Sequence, residues 1–223
     1  MHPAVRLLII LVLGTLAIAI VVPGVDRHRA AAAGVLTTSD GDTVDISAAA
    51  RAAGPAFAPG VPAADRAWVR AALAAARPEA ARLIAESDGL VRFSVFSAGP
   101  EAPLGVTRSH AHGFDVSLNV AQLNGLRAAD RATVVLHELG HVVDFALVPR
   151  ALDASLDAGI PRGGPCGAAI DCDRPEERFA DTFAKWALHG AVSAAGAGYG
   201  IAAPASLEDW GAPLAQLAVS LPA

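Results

Sequence analysis

HELGH, residues 137 to 141, is the stretch of this 223-residue chain that decides both its fold and its chemistry. An α-helix turns about 100° per residue, so His137 and His141 project from one face, one turn apart, and can bind the same metal ion. Imidazole ligands at this spacing suit Zn²⁺. Glu138 points beside the ion, where a carboxylate can take a proton from a metal-activated water. The motif predicts a helix that presents one zinc ion for amide hydrolysis.

The third ligand must come from elsewhere, because a catalytic zinc site usually has three protein ligands and one open position. In metzincins a glycine and a third histidine stand three and six residues after the second histidine of the motif. Asp144 and Leu147 occupy those positions in this chain, which excludes the metzincin pattern.

A downstream helix offers acidic alternatives. Glu177 and Asp181 share one face of this predicted helix with small residues that permit close approach to the motif helix. Glu177 is the preferred ligand, and Asp181 can orient a ligand histidine from the second layer. Glu176 competes with Glu177, but with Asp173 as N-cap it would occupy position N3 of a capping-box-like helix start. Asp144 is a further candidate, either as a ligand or as a second-layer or surface residue.

Two segments resemble the gluzincin class of zinc metallopeptidases: HELGHVVD (His137–Asp144) and ERFADTFA (Glu177–Ala184). The resemblance spans Thr133–Trp186 and is closest to the family of the anthrax lethal factor catalytic domain. It implies a zincin-like fold but does not identify a substrate, and a peptide or protein is the substrate expected from the metallopeptidase hypothesis. The resemblance also implies that the zinc ligands are His137, His141 and Glu177. Glu138 would be the general base that later donates a proton, and Asp181 would be a supporting carboxylate.

Two further expectations depend on this resemblance. Lethal factor relatives carry an oxyanion-stabilising tyrosine shortly before the glutamate ligand, and residues 168–173 contain none. Tyr199, the only tyrosine, is therefore a candidate catalytic residue, and three histidines are alternatives: His110, His112 and His189. The strand predicted at 113–120 is either the edge strand that pairs with an extended substrate or an ordinary internal strand.

Periodicity predicts the remaining elements. Strands are predicted at 43–46, 90–97, 104–109 and 113–120, and one bent helix or two separate helices over 64–87, with a break at Pro78. The motif helix runs from Ala128 or Asp130 to Val148, with Asp130 as a candidate N-cap. A long loop follows at 149–172, and two further helices at 174–189 and 206–221. The predicted fold class is α+β and zincin-like, with a small mixed sheet packed on the motif helix and a mostly helical C-terminal part.

The N-terminus contains sixteen apolar or small residues, Leu7–Val22, behind a short basic start. This run is short for a membrane span, which needs about 20 residues, so residues 1–33 are interpreted as a cleaved signal peptide, with a retained signal anchor as the alternative. Residues 34–61 form a linker or short pro-segment, and 62–223 form the metallopeptidase domain. The predicted location is extracellular, with a membrane association only if the apolar segment is retained.

Net charge and cysteine content bear on the binding partners of the protein and on its location. The formal net charge is −5 and no basic cluster is present, which gives no electrostatic basis for nucleic-acid binding. Cys166 and Cys172 are predicted to form a disulfide, as expected for an exported chain. A monomeric exported zinc endopeptidase is the leading hypothesis. The alternatives are a non-catalytic exported binding module with a structural zinc and a membrane-anchored processing protease.

Overall fold

The computed structural model describes residues 35–37, 43–45, 55–126, 128–162, 174–190 and 200–221. Within these residues the fold is α+β, as predicted, with a four-stranded mixed sheet, a separate two-stranded pair and seven helices. The strands are β1 (Val35–Thr37), β2 (Thr43–Asp45), β3 (Ala56–Phe57), β4 (Val91–Phe96), β5 (Gly105–His110) and β6 (Gly113–Asn119). The helices are α1 (Ala63–Ala74), α2 (Pro78–Glu86), α3 (Val120–Leu123), α4 (Ala128–Leu147), α5 (Arg150–Ala158), α6 (Pro175–Ala187) and α7 (Leu207–Ser220).

The four-stranded sheet has the order β3-β4-β6-β5, in which β3, β4 and β6 are parallel and β5 is antiparallel. A hairpin joins β5 to β6, and Gly113 at its end has a φ of 143°, a conformation that favours glycine. Because β6 pairs with β4 on its other side, the strand at 113–119 is internal. Of the two alternatives for this strand, the internal strand is therefore the one observed, and β5 lies at the edge in the described part of the chain.

The segment interpreted as a linker contains more structure than one strand. β1 and β2 pair with each other, and β3 pairs with β4 to extend the four-stranded sheet. The folded domain was predicted to start near Pro62, whereas the four-stranded sheet begins earlier in the chain, at β3.

The helical region at 64–87 consists of two helices, because Pro78 stands at the first position of α2, where its missing N–H is not needed. Arg77 immediately before it donates its backbone N–H to the carbonyl of Ala187 at 2.8 Å. Its side chain packs over Trp186 and pairs with Glu208 at the start of α7. The break between α1 and α2 is thus anchored to the C-terminal helices.

The predicted loop at 149–172 is wrong in its first part, where α5 forms. The buried guanidinium of Arg178 explains this difference, because it donates to the carbonyls of Asp157, Ile160 and Pro161 at the end of α5. It also donates to the Asp157 carboxylate at 2.7 Å. Arg178 itself lies on α6, too far along the chain for a local pattern to reveal.

The motif helix α4 lies in the interior, in contact with α1, the sheet and α6. It begins at Ala128, so Asp130 is its third residue and not its N-cap. Its apolar residues form the centre of the core: Val134, Val135, Leu136, Leu139, Val142 and Val143. After α4 the described chain contains only helices as regular elements. The predicted α+β arrangement, with a small mixed sheet on the motif helix followed by a mostly helical part, is confirmed in the described residues.

Candidate metal centre

The two motif histidines lie together inside the protein. His137 and His141 are both buried on α4, and their rings meet edge to face with centroids 4.9 Å apart. Phe145, one turn further on, stacks on the His141 ring with centroids 6.0 Å apart. The helical spacing read from the sequence therefore presents both imidazoles at one place.

Glu177 on α6 completes a three-residue cluster whose potential ligand atoms all lie within 4.8 Å of one another. Its Oε2 atom lies 3.3 Å from Nε2 of His137 and 3.7 Å from Nε2 of His141. Two atoms held roughly 2.1 Å from one zinc ion at tetrahedral angles are about 3.4 Å apart. The three side chains have donor types that suit a metal ion, and the two distances from Glu177 are close to this tetrahedral spacing.

The protonation state of the histidines agrees with this interpretation. Burial lowers the pKa of His137 to about 4, with a raising effect of Asp181 and a lowering effect of Lys185. Burial also lowers the pKa of His141 to about 3, and His137 lowers it further, while Glu177 raises it. Both rings are neutral near pH 7, which is the form that binds a metal.

Glu177 reaches the histidines because α4 and α6 approach very closely. A Cβ atom on Gly140 would lie 2.9 Å from the Cα of Ala180, a distance that real Cβ atoms essentially never show. The glycine of HELGH and the small face of α6 thus allow the contact. Phe179, Phe183 and Trp186 occupy the other side of α6 and are fully buried, as predicted for core residues.

Asp181 lies one turn beyond Glu177, buried, and its negative charge raises the pKa of His137. Its carboxylate pairs with Lys185, which also donates to the carbonyl of Ile201. The placement is compatible with the predicted supporting role toward His137, and Lys185 is a partner that the sequence did not suggest.

Glu176 and Asp144 lie outside the three-residue cluster. The N-cap of α6 is Arg174, so Glu176 is at position N2 and its predicted capping role at N3 is wrong. The Glu176 carboxylate pairs with the Arg174 side chain. Asp144 is buried. Both line a polar cavity of about 420 Å³ that also includes Arg150 and Asp153. The structure brings Glu177 rather than Glu176 to the histidines.

The carboxylate of Glu138 is buried and points toward β5. Thr107 donates its hydroxyl to Oε2 of Glu138 at 2.7 Å, and the same hydroxyl lies 3.0 Å from the Glu138 carbonyl oxygen. Burial raises the pKa of Glu138 to about 8. The Thr107 hydrogen bond lowers it in part, and the negative charge of Glu177 raises it. Glu138 is thus a proton-binding group beside the candidate ligands.

Other predicted residues lie elsewhere. Tyr199, Cys166, Cys172 and Asp173 fall outside the described residues, as does the apolar run at 7–22. His110 and His112 are exposed around the β5–β6 turn, and His189 contacts Arg77 at 2.8 Å. In the portion that the structure describes, no helix combines the length and apolarity needed to cross a membrane.

Gly105 and Thr107 were not singled out from the sequence, although both contact Glu138. The available signal was their spacing of two in a predicted strand, which places both on one face. Their contact with the motif helix depends on the sheet order, which the sequence pattern does not contain.

No protein-family model, curated protein or solved structure matches the chain. The assignment of the site therefore depends on the geometry of its own residues. His137, His141 and Glu177 form a largely buried group that could bind a metal ion.

Proposed function

We propose that this protein is an exported zinc-dependent peptidase of the gluzincin type with a zincin-like fold. The observation that carries the proposal is the cluster of two neutral histidines and Glu177, with ligand atoms within 4.8 Å of one another and the buried Glu138 beside them. Two imidazoles and one carboxylate are a common ligand set of catalytic zinc in peptidases.

His137, His141 and Glu177 would hold the ion. When bound, zinc would supply Lewis-acid activation of water and of the peptide carbonyl, and its charge would lower the pKa of Glu138. Glu138 takes the proton from the attacking water and later delivers it to the leaving amine. The Thr107 hydrogen bond and burial hold this carboxylate in place before a substrate arrives.

The edge of β5 supports a peptide as substrate. Asn119 donates its N–H to the carbonyl of Leu104 at 2.8 Å, and these residues stand opposite each other in the register of β5 and β6. Bonded and non-bonded pairs alternate in an antiparallel ladder, so the next residues along β5 point their backbone groups alternately toward β6 and away from it. The residues whose N–H and C=O groups face outward are Gly105, Thr107 and Ser109. An extended peptide can add to this edge through main-chain hydrogen bonds, whatever its side chains.

Export is the second part of the proposal, and it depends on the sequence of the first 33 residues. An apolar run of sixteen residues behind a short basic start is typical of a secretory signal. The cysteine pair at 166 and 172 is consistent with an oxidising location.

Metal analysis combined with cleavage of a peptide library tests the proposal. The purified protein should bind one zinc ion and cleave peptides. Glu138→Gln should retain zinc and lose about 10²–10⁴-fold in kcat. Glu176→Gln is the matched control, because this glutamate lies outside the ligand cluster, and it should retain both properties.

Parental cleavage rates in the Glu138→Gln variant would refute the mechanism. Tight zinc binding without cleavage by the parent protein would instead favour a binding module with a structural zinc.

A further inference from the structure

We propose that Thr107 is the positioning residue for the general base, and that Gly105 and Thr107 together form a socket that fixes the Glu138 carboxylate at the substrate edge. This inference rests on the proposed function of Glu138. It assigns a role to two residues of β5 that lie outside the zinc-binding helices.

The first side of the socket is a hydrogen bond. The Thr107 hydroxyl has a single hydrogen, and both acceptors within its reach belong to Glu138: Oε2 at 2.7 Å and the backbone carbonyl at 3.0 Å. The shorter distance identifies the carboxylate as the acceptor. With the carboxylate buried, little water is present to orient it, so this hydroxyl selects one rotation of the Glu138 side chain.

The second side of the socket is a missing side chain. A Cβ atom on Gly105 would lie 2.5 Å from Oε1 and 2.7 Å from Cγ of Glu138. The carboxylate therefore fills the space that any other residue at 105 would occupy. One oxygen is held by the Thr107 hydroxyl and the other lies against the Gly105 backbone, so both oxygens are placed by β5.

The register of β5 and β6 directs the backbone groups of the same two residues away from β6, toward the edge of the sheet in the described part of the chain, where Gly105 is buried and Thr107 is partly exposed. A peptide that pairs with Thr107 through its main chain is separated from Glu138 by one threonine side chain. The socket thus fixes the distance between the paired peptide and the base. Preorganisation of this kind acts on the reaction step more than on binding.

Thr107→Val removes the hydroxyl while retaining the shape, and Thr107→Ser retains the hydroxyl. Thr107→Val should lower kcat by about 10- to 100-fold with KM nearly unchanged, because a misplaced base slows the reaction without weakening main-chain pairing. Thr107→Ser should recover most of the lost activity. Zinc stoichiometry and affinity, measured by competition with a chelator, should equal the parental values in both variants. Ser94→Ala, which removes a hydroxyl bonded to Ser117 on the same sheet, is the control and should leave kcat unchanged.

Dependence on Glu138 is the decisive readout. In a Glu138→Gln background, where no base remains to be positioned, Thr107→Val should cause no additional loss of the residual activity. Gly105→Ala should lower kcat in the parent and should combine non-additively with Thr107→Val, since both act on one carboxylate. Parental kcat in Thr107→Val, failure of Thr107→Ser to recover activity, or an equal loss in the Glu138→Gln background would overturn the inference.

Stability separates this inference from the proposed function. If the parent protein shows no zinc-dependent cleavage, the proposed function fails, but the Thr107–Glu138 pair remains measurable in the metal-free protein. Thr107→Val should then shift the urea midpoint less in a Glu138→Ala background than in the parent, because the carboxylate acceptor is already gone and only the more distant backbone carbonyl remains. Equal shifts in both backgrounds would show that the hydroxyl does not hold the carboxylate.

Discussion

Replacing Gly140 with alanine should weaken both the fold and the candidate metal centre, because α4 and α6 are in close contact at this residue. The added Cβ atom would lie 2.9 Å from the Cα of Ala180 and 3.1 Å from its carbonyl oxygen. Both neighbours are backbone atoms, so no side-chain rotation can relieve the overlap. The two helices must therefore separate.

The size of the effect follows from these distances. Ordinary contacts begin at 3.4 Å, so the helices must move apart by about 0.5 Å. Overpacking of this kind costs roughly 1–3 kcal/mol, whereas alanine gains about 1 kcal/mol over glycine in helix propensity. The free energy of unfolding should fall by roughly 1 kcal/mol, which corresponds to a Tm decrease of about 2–4 °C for a domain of this size. Glu177 lies three residues before Ala180, so the same movement separates its carboxylate from the histidines, and zinc affinity should fall about 10-fold or more.

Thermal unfolding of the metal-free protein and chelator competition for zinc measure the two effects separately. Gly99→Ala is the matched control, because a Cβ atom at this exposed position meets nothing within 4 Å. The control should leave both quantities close to the parental values. If Gly140→Ala proves as stable as the parent and binds zinc with the parental affinity, the close contact between α4 and α6 does not position Glu177.

Three further predictions concern the fold and the support of the site. Arg178→Met should lower the free energy of unfolding by about 3–5 kcal/mol, because it leaves the Asp157 carboxylate and the end of α5 without their buried partner; an unchanged urea midpoint would contradict this role. Asp181→Asn should weaken zinc binding about 10-fold in chelator competition, since the neutral amide no longer strengthens His137 as a ligand, whereas Glu176→Gln should not change it. Burial raises the pKa of Asp88 to about 6 from 3.8, so the folded state holds this proton more tightly than the unfolded chain. Its contribution to stability is therefore highest below about pH 4 and declines as the pH rises through 6. Because this carboxyl is half exposed, the change should be on the order of 1 kcal/mol. Urea unfolding at several pH values should show that Asp88→Asn removes this part of the pH dependence, and identical pH profiles for parent and variant would argue against it.

Local patterns predicted those elements whose stability is local. Strands β4, β5 and β6 lie within a residue or two of the predicted bounds, because alternation of apolar side chains marks a half-buried strand directly. Helix α5 was missed because its end is stabilised by Arg178, which is distant in sequence. The sequence left open whether the strand at 113–120 is an edge or an internal strand, because a local pattern does not show that β6 lies between β4 and β5 although it follows both in the chain.

The candidate metal ligands were predictable to the extent that helical geometry determines them. His137 and His141 share a face by their spacing alone, and Glu177 was preferred to Glu176 from the face that it shares with Asp181. Thr107 could not be assigned in this way, because its contact with Glu138 arises only when β5 is placed against α4. The candidate ligands follow from helical spacing, whereas the contact of Thr107 with Glu138 follows from the tertiary arrangement.

The candidate ligands come from α4 and α6, which α5 separates along the chain, and this arrangement has a consequence for the lifetime of the protein. A dication that binds only the folded chain adds about 4 kcal/mol to its stability at a free concentration 1000 times the Kd. That amount is comparable with the whole stability of a typical domain, about 5–15 kcal/mol. Chains that meet too little metal would open more often and be degraded sooner by surrounding proteases. Metal supply would then control how much of the protein persists as well as how much of it is active.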